Sequence, residues 1–367
     1  MTCLTIAGLQ SPVGAILSNG SIAEDTTLPP EETTAPPQET TEPTTEATTT
    51  TVVETTTTTT LPGSTTTTTV VDPNVPSCSE GNRIKATDLP SLVDPDTCDM
   101  TGLIVTDNGI GALVPPPGHG VYAEGHAANG VGQELKVNTW RNGTVRLRKV
   151  GNEGTDGVAP RVKEPCSSCM APCKDTAQTL AGFKEAGSYK YRINKRTIPG
   201  SLSKKATIKA IKLGANTIAK GINDCSITSG YTIKMSYLGR TRNKANLDRS
   251  GNCLSPNGKS VVDFGSLPVS GRTCSWYSLE GNGDRSLAES DVRLSTGQKW
   301  TLSPDSRSCR NKQDVQSVAT HEMGHAMGLA HVTSSHKNLT MAEIVPSCTS
   351  APRSLGRGDV GGLASIY

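Results

Sequence analysis

His321-Glu322-Met323-Gly324-His325-Ala326-Met327-Gly328-Leu329-Ala330-His331 is the stretch on which the reading of this chain turns. An α-helix advances about 100° per residue, so His321 and His325, four apart, point their imidazoles the same way and can share one metal ion. Glu322 follows His321 directly. Its carboxylate lies beside the two ligands, where it can reach a water on the metal without displacing it, the place for a general base. Gly328 lets the backbone leave the helix, because glycine takes left-handed φ/ψ values without a Cβ penalty, and the chain can then return His331 to the same metal. Three neutral imidazoles at about 2.0–2.1 Å leave a tetrahedral zinc one open position, as in catalytic and not in closed structural sites. Two blander readings compete: an amphipathic helix with incidental histidines, and a zinc site that no longer does chemistry. The intact Glu322 speaks against the second.

This run resembles the HExxHxxGxxH signature of metzincin zinc metallopeptidases, and roughly the last 190 residues resemble the matrixin branch. The resemblance implies an α+β catalytic domain over 175–367, with a twisted mixed sheet, two long helices and a C-terminal helix. Tyr189–Asn194 matches the opening strand, closed by Ile198-Pro199-Gly200. Ser203 can cap a helix whose Ile208, Ile211, Ala215, Ile218 and Ile222 recur at three- and four-residue steps, one buried face. Tyr231–Tyr237 and Val261–Leu267 are the next strand candidates. Ala288–Ser295 resembles the edge strand that holds substrate, which makes Ser290, Asp291, Val292 and Arg293 the candidates for main-chain pairing with an extended peptide. A plain edge strand, with charges that discourage aggregation, is the alternative.

By the same resemblance Met341 belongs to the methionine turn beneath the imidazoles, and Gly358–Tyr367 to the C-terminal helix. One catalytic zinc is implied; calcium is compatible with the family but is assigned to no residue. Val332, Ala342 and Glu343 depart from the usual family choices. Between His126 and His321 there is no histidine, so the second, structural zinc of vertebrate matrixins cannot be rebuilt. No PRCGxPD-type cysteine switch occurs either, so any latency must arise differently. The pattern is therefore similar to bacterial-type secreted matrixins and not to vertebrate matrix metalloproteinases. His336 competes with His331 as third ligand, at an offset that fits the family less well.

Upstream, ten acidic and no basic residues precede Arg83, although the whole chain carries a formal net charge of only +2. Residues 26–77 are rich in Thr, Pro and Glu and too poor in apolar side chains to offset the entropy of ordering, which predicts an extended, disordered stalk. Such tracts resemble O-glycosylated stalks, and this one could tie the protein to a cell envelope; a bare solvated linker explains it equally. Residues 1–25 hold a broken apolar stretch without a basic start, read as a degenerate or truncated signal segment.

Residues 78–174 are Gly- and Val-rich and read as a small β-rich accessory or pro-domain. Within them Leu135–Trp140 and Thr144–Arg148 flank Asn142-Gly143, a β-hairpin signal. His119 and His126 lack ligand-spaced partners there and read as surface residues. Beyond Cys3, ten cysteines remain, which five disulfides would pair in an oxidising compartment. The tight group Cys166, Cys169 and Cys173 could instead hold a metal or act in redox chemistry.

Aromatic residues make up 3% of the chain, too few for a nucleic-acid stacking platform. No run is long and apolar enough to span a bilayer. These features together predict a secreted or cell-surface zinc endopeptidase acting on protein or peptide substrates. The alternatives are a surface-displayed adhesion module with a vestigial zinc site, and a zinc amidohydrolase acting on a non-peptide substrate.

Overall fold

A computed structural model of the chain describes residues 75–126, 132–149, 170–280 and 285–367. The expected signal segment, nearly all of the stalk, and Cys166 and Cys169 lie outside them.

Seven strands come from the first part of the described chain: β1 (Arg83–Lys85), β2 (Leu92–Val93), β3 (Ile104–Asp107), β4 (Ile110–Leu113), β5 (His119–His126), β6 (Gln133–Thr139) and β7 (Val145–Lys149). Seven more follow: β8 (Ser188–Ile193), β9 (Lys234–Arg240), β10 (Ser260–Gly265), β11 (Gly271–Ser278), β12 (Leu287–Ser295), β13 (Trp300–Thr301) and β14 (Gln313–Asp314). Three helices complete the fold: α1 (Lys204–Lys220), α2 (Val315–Ala326) and α3 (Arg357–Ile366).

Nine of the strands form one mixed sheet in the order β2-β7-β6-β5-β11-β12-β10-β8-β9. From β12 to β9 the neighbours run parallel, whereas β11 is antiparallel to β12 and to β5. With α1, α2 and α3, the architecture is α+β.

Strand periodicity divides the molecule into two cores, since successive side chains point to opposite faces. On β5 and β11, Tyr122 and Tyr277 enter the core shared with the helices, while Val121, Ala123, Cys274 and Trp276 enter a second core with β3, β4, β6 and β7. The Asn142-Gly143 signal is a true hairpin: β6 and β7 pair antiparallel around it, and Gly143 takes φ 87°.

Helix limits follow local chemistry. The Ser203 hydroxyl accepts the Ala206 N–H at 3.5 Å to start α1, and Gly221, at φ 61°, ends it. At the head of α2, Asp314 accepts the Ser317 N–H at 2.9 Å and is gripped in turn by the Arg353 guanidinium.

Three expectations need correction. Ile222 is not part of the buried face of α1 but lies past its cap and is exposed. The strand expected at Tyr231–Tyr237 begins only at Lys234, because Tyr231 turns towards α1 and donates its hydroxyl to Ile218 O at 2.7 Å. The stretch expected to be the sheet edge, β12, lies inside the sheet, hydrogen-bonded to β10 on one side and β11 on the other.

Disulfides join Cys78 to Cys98, Cys173 to Cys225, Cys253 to Cys274 and Cys309 to Cys348. Cys173 is thereby taken out of the proposed metal or redox group.

Candidate metal centre

α2 carries His321 and His325 one turn apart, both fully buried. The helix ends at Met327, and Gly328 at φ 87° turns the chain so tightly that a Cβ there would lie 2.4 Å from Phe183 O. His331 returns on the far side of that turn. The Nε2 atoms of His325 and His331 lie 2.9 and 3.1 Å from that of His321. Tetrahedral zinc would spread such a pair to about 3.3 Å, so the three rings stand close to the spacing a metal requires.

The opposite ring nitrogens fix the tautomers. His321 Nδ1 is 2.7 Å from Thr340 O and His325 Nδ1 is 2.9 Å from Leu329 O. A carbonyl only accepts, so each Nδ1 carries its proton and each Nε2 offers a lone pair to the centre. Burial drives His325 down to about 3, which keeps it neutral.

The expected Met341 turn lies under this helix. Its sulfur occupies the space beside Gly324, where a Cβ would come within 2.4 Å of Sδ. The Asp359 carboxylate of α3 holds the turn, accepting the N–H groups of Thr340 at 2.9 Å, Met341 at 3.1 Å and Gly356 at 2.8 Å. His336, the rival third ligand, is elsewhere: its Nδ1 meets the Asp175 carboxylate at 2.9 and 3.0 Å.

A fourth group enters from β5. Glu124 Oε2 lies 2.8 Å from His325 Nε2, and its Oε1 lies 2.7 Å from His331 Nε2 and 4.0 Å from His321 Nε2. Both oxygens are buried, and no donor other than these ring nitrogens reaches either of them. A carboxylate facing three ring nitrogens in a site closed to water is a set of acceptors without a donor, which is costly unless a cation lies among them. Burial works against protonation of His331, yet Glu124 outweighs it and holds that ring up to about 9. One proton can therefore relieve part of the conflict in the metal-free site. A divalent cation relieves all of it, and the donor set of three imidazoles and one carboxylate suits zinc.

Glu322 stands next to the cluster and is engaged on both oxygens. The Thr273 hydroxyl donates to Oε2 at 2.6 Å, and His126 Nδ1 is 3.2 Å from Oε1. Burial pushes the Glu322 carboxyl up to about 8, and the charge on Glu124 adds to the rise.

Glu134 stands opposite Glu124 on β6 and accepts the His331 N–H at 2.9 Å and the Tyr122 hydroxyl at 2.7 Å. Among the described residues, two groups of metal-ligand type occur, Glu124 with His321, His325 and His331, and His126 with His321 and Glu322.

Sequence reasoning missed Glu124, Glu134 and Thr273, and it misplaced His126, which is buried against Glu322 and not on the surface. The available signal was the alternation Tyr122, Glu124, His126 along one strand face, which places two ionisable side chains beside an aromatic core residue. His119 is exposed, as expected.

The residues expected to bind substrate serve the fold. Ser290 hydroxyl meets Ser275 hydroxyl at 2.9 Å; Asp291 accepts the N–H groups of Asn246 and Val261 at 2.6 and 2.7 Å; Val292 is in the core; and Arg293 pairs with Asp263 at 2.8 Å. The strand beside the metal centre that borders the parallel half of the sheet is β11, and β5 covers it through eight residue pairs, from Gly271 with His126 to Ser278 with His119.

Residues 282–367 match the family model Peptidase_M10, Matrixin. The Matrixin segment holds β12, α2, the three histidines and α3, and it supports a zinc metallopeptidase in general. It does not reach β5 or β11. No curated protein matches the chain.

Proposed function

We propose that the chain is a secreted zinc-dependent endopeptidase of the bacterial matrixin type, its catalytic domain spanning 175–367. The observation that carries this reading is the convergence of three buried histidine Nε2 atoms beside the Glu322 carboxylate. Zinc held by His321, His325 and His331 would acidify a water and polarise the scissile carbonyl. Glu322 would take the water's proton on Oε1 and hand it to the leaving amine. A carboxylate next to the ligand-bearing helix face is placed to hold that proton between the two transfers. The edge of β11 is suited to align an extended peptide by main-chain hydrogen bonds, giving protein and peptide substrates a common pose.

Secretion is supported by the four disulfides, and no helix among the described residues is long and apolar enough to cross a membrane. The Thr- and Pro-rich residues 26–77 would act as the spacer to a cell envelope.

The test is casein turnover, measured before and after limited proteolysis because β5 covers the β11 edge. Turnover abolished by a chelator and restored by zinc is expected. A folded, zinc-loaded protein that cuts nothing under either condition would overturn the assignment.

A further inference from the structure

We propose that Glu124 is the fourth ligand of the metal and that it closes the site, so that the chain as folded is latent. The inference rests on the zinc assignment above and extends it to a residue nearly two hundred positions from the histidine motif.

Three imidazoles leave a tetrahedral zinc one position for water or substrate. Here both carboxylate oxygens of Glu124 point into that space, at 2.7 and 2.8 Å from two of the ligating nitrogens, with no other donor to satisfy them. No surface accident placed this group. Thr273 of β11 and Glu134 of β6 are both register partners of Glu124, so the ladders on either side fix its depth.

The same strand, β5, engages each part a hydrolytic site needs. Glu124 occupies the open ligand position, His126 meets the Glu322 carboxylate at 3.2 Å, and the backbone of β5 fills the edge where an extended peptide would pair. Glu134 steadies the arrangement through the His331 N–H and the Tyr122 hydroxyl. A thiol is not needed for such closure, and among the described residues every cysteine is in a disulfide. Residues 78–149 then serve as an internal inhibitor, and activity requires that β5 leave.

The test uses the full chain loaded with cobalt(II), whose visible spectrum reports coordination, in parent, Glu124→Ala and Glu124→Gln forms. The parent should bind one cobalt and refuse acetohydroxamate, a small chelating probe. Glu124→Ala should change the spectrum and hold the metal at least about tenfold more weakly, since loss of even an outer partner costs that much. It should also bind acetohydroxamate with a further spectral change. If the alanine variant does not fold, the isosteric glutamine variant decides, with the same expected outcome. A parent that binds cobalt but whose variants match it in spectrum and in hydroxamate affinity would overturn this inference alone. A folded parent that binds neither cobalt nor zinc would instead remove the metal assignment beneath it.

Discussion

Replacing Arg293 by Met separates a substrate contact from a structural one. Arg293 Nε and Nη2 donate to Asp263 at 2.8 and 2.9 Å, Nη1 reaches Leu247 O and Asp248 O at 3.1 Å each, and Nη2 also reaches Ala245 O at 3.0 Å. Side-chain exposure is 6% for Arg293 and 1% for Asp263, so water cannot take over these bonds. Methionine preserves much of the stem volume but leaves a buried carboxylate without its counter-charge and Leu247 O without a donor, while Ala245 O and Asp248 O keep only the N–H groups of Leu247 and Gly251. Breaking a buried pair in this way costs about 3–5 kcal/mol. For a unit of this size that corresponds to a fall in Tm of roughly 10 °C. Thermal and urea unfolding measure it directly. Replacing Asp263 by Leu in the same chain should recover part of the loss, because apolar substitution of both partners is close to neutral. A loss below about 1 kcal/mol, accompanied by an altered cleavage preference, would refute the structural role and return Arg293 to the substrate cleft.

After limited proteolysis, Glu322→Gln should retain zinc and fold but turn over peptide about 10²–10⁴-fold more slowly than the parent treated alike, checked by metal analysis beside a casein assay; full activity would make another residue the base. Lys136 is buried, donates to Ala181 O and sits 5.6 Å from the Tyr277 ring centre, and burial drives it down to about 7. The unfolded chain binds this proton up to about 10.4, so the penalty for folding is full below about pH 7 and is relieved as pH rises towards 10. Lys136→Met should therefore be more stable than the parent at pH 6, with a difference that shrinks by pH 9.5 in denaturant titrations. A difference independent of pH would show that the lysine is not desolvated.

The helical half of the site was legible because its chemistry is local. Offsets of four and six residues and a glycine between them are enough to place three imidazoles at one point, and the structure brings His321, His325 and His331 together with Met341 below. The hairpin at Asn142-Gly143 was legible for the same reason. The other half of the site depends on strand order, which periodicity does not encode. Ala288–Ser295 resembles an edge strand in sequence, yet β12 pairs with β10 on one side and β11 on the other, an interior place that no residue of the strand itself reveals. Glu124 has no motif around it. Its role comes from pairing between β5 and β11, about 150 residues apart in sequence, and from the cross-strand position of Glu134. Arg293 illustrates the converse error: a charged residue on a strand reads as exposed, yet here it is the hub of a buried network.

The central claim is that one metal is held by His321, His325 and His331, and metal analysis of the purified, folded chain tests it most directly. One tightly bound zinc per chain is expected, with loss of that zinc in His325→Ala under conditions where circular dichroism shows the fold retained. Folded parent protein without zinc, or undiminished zinc in His325→Ala, would contradict it.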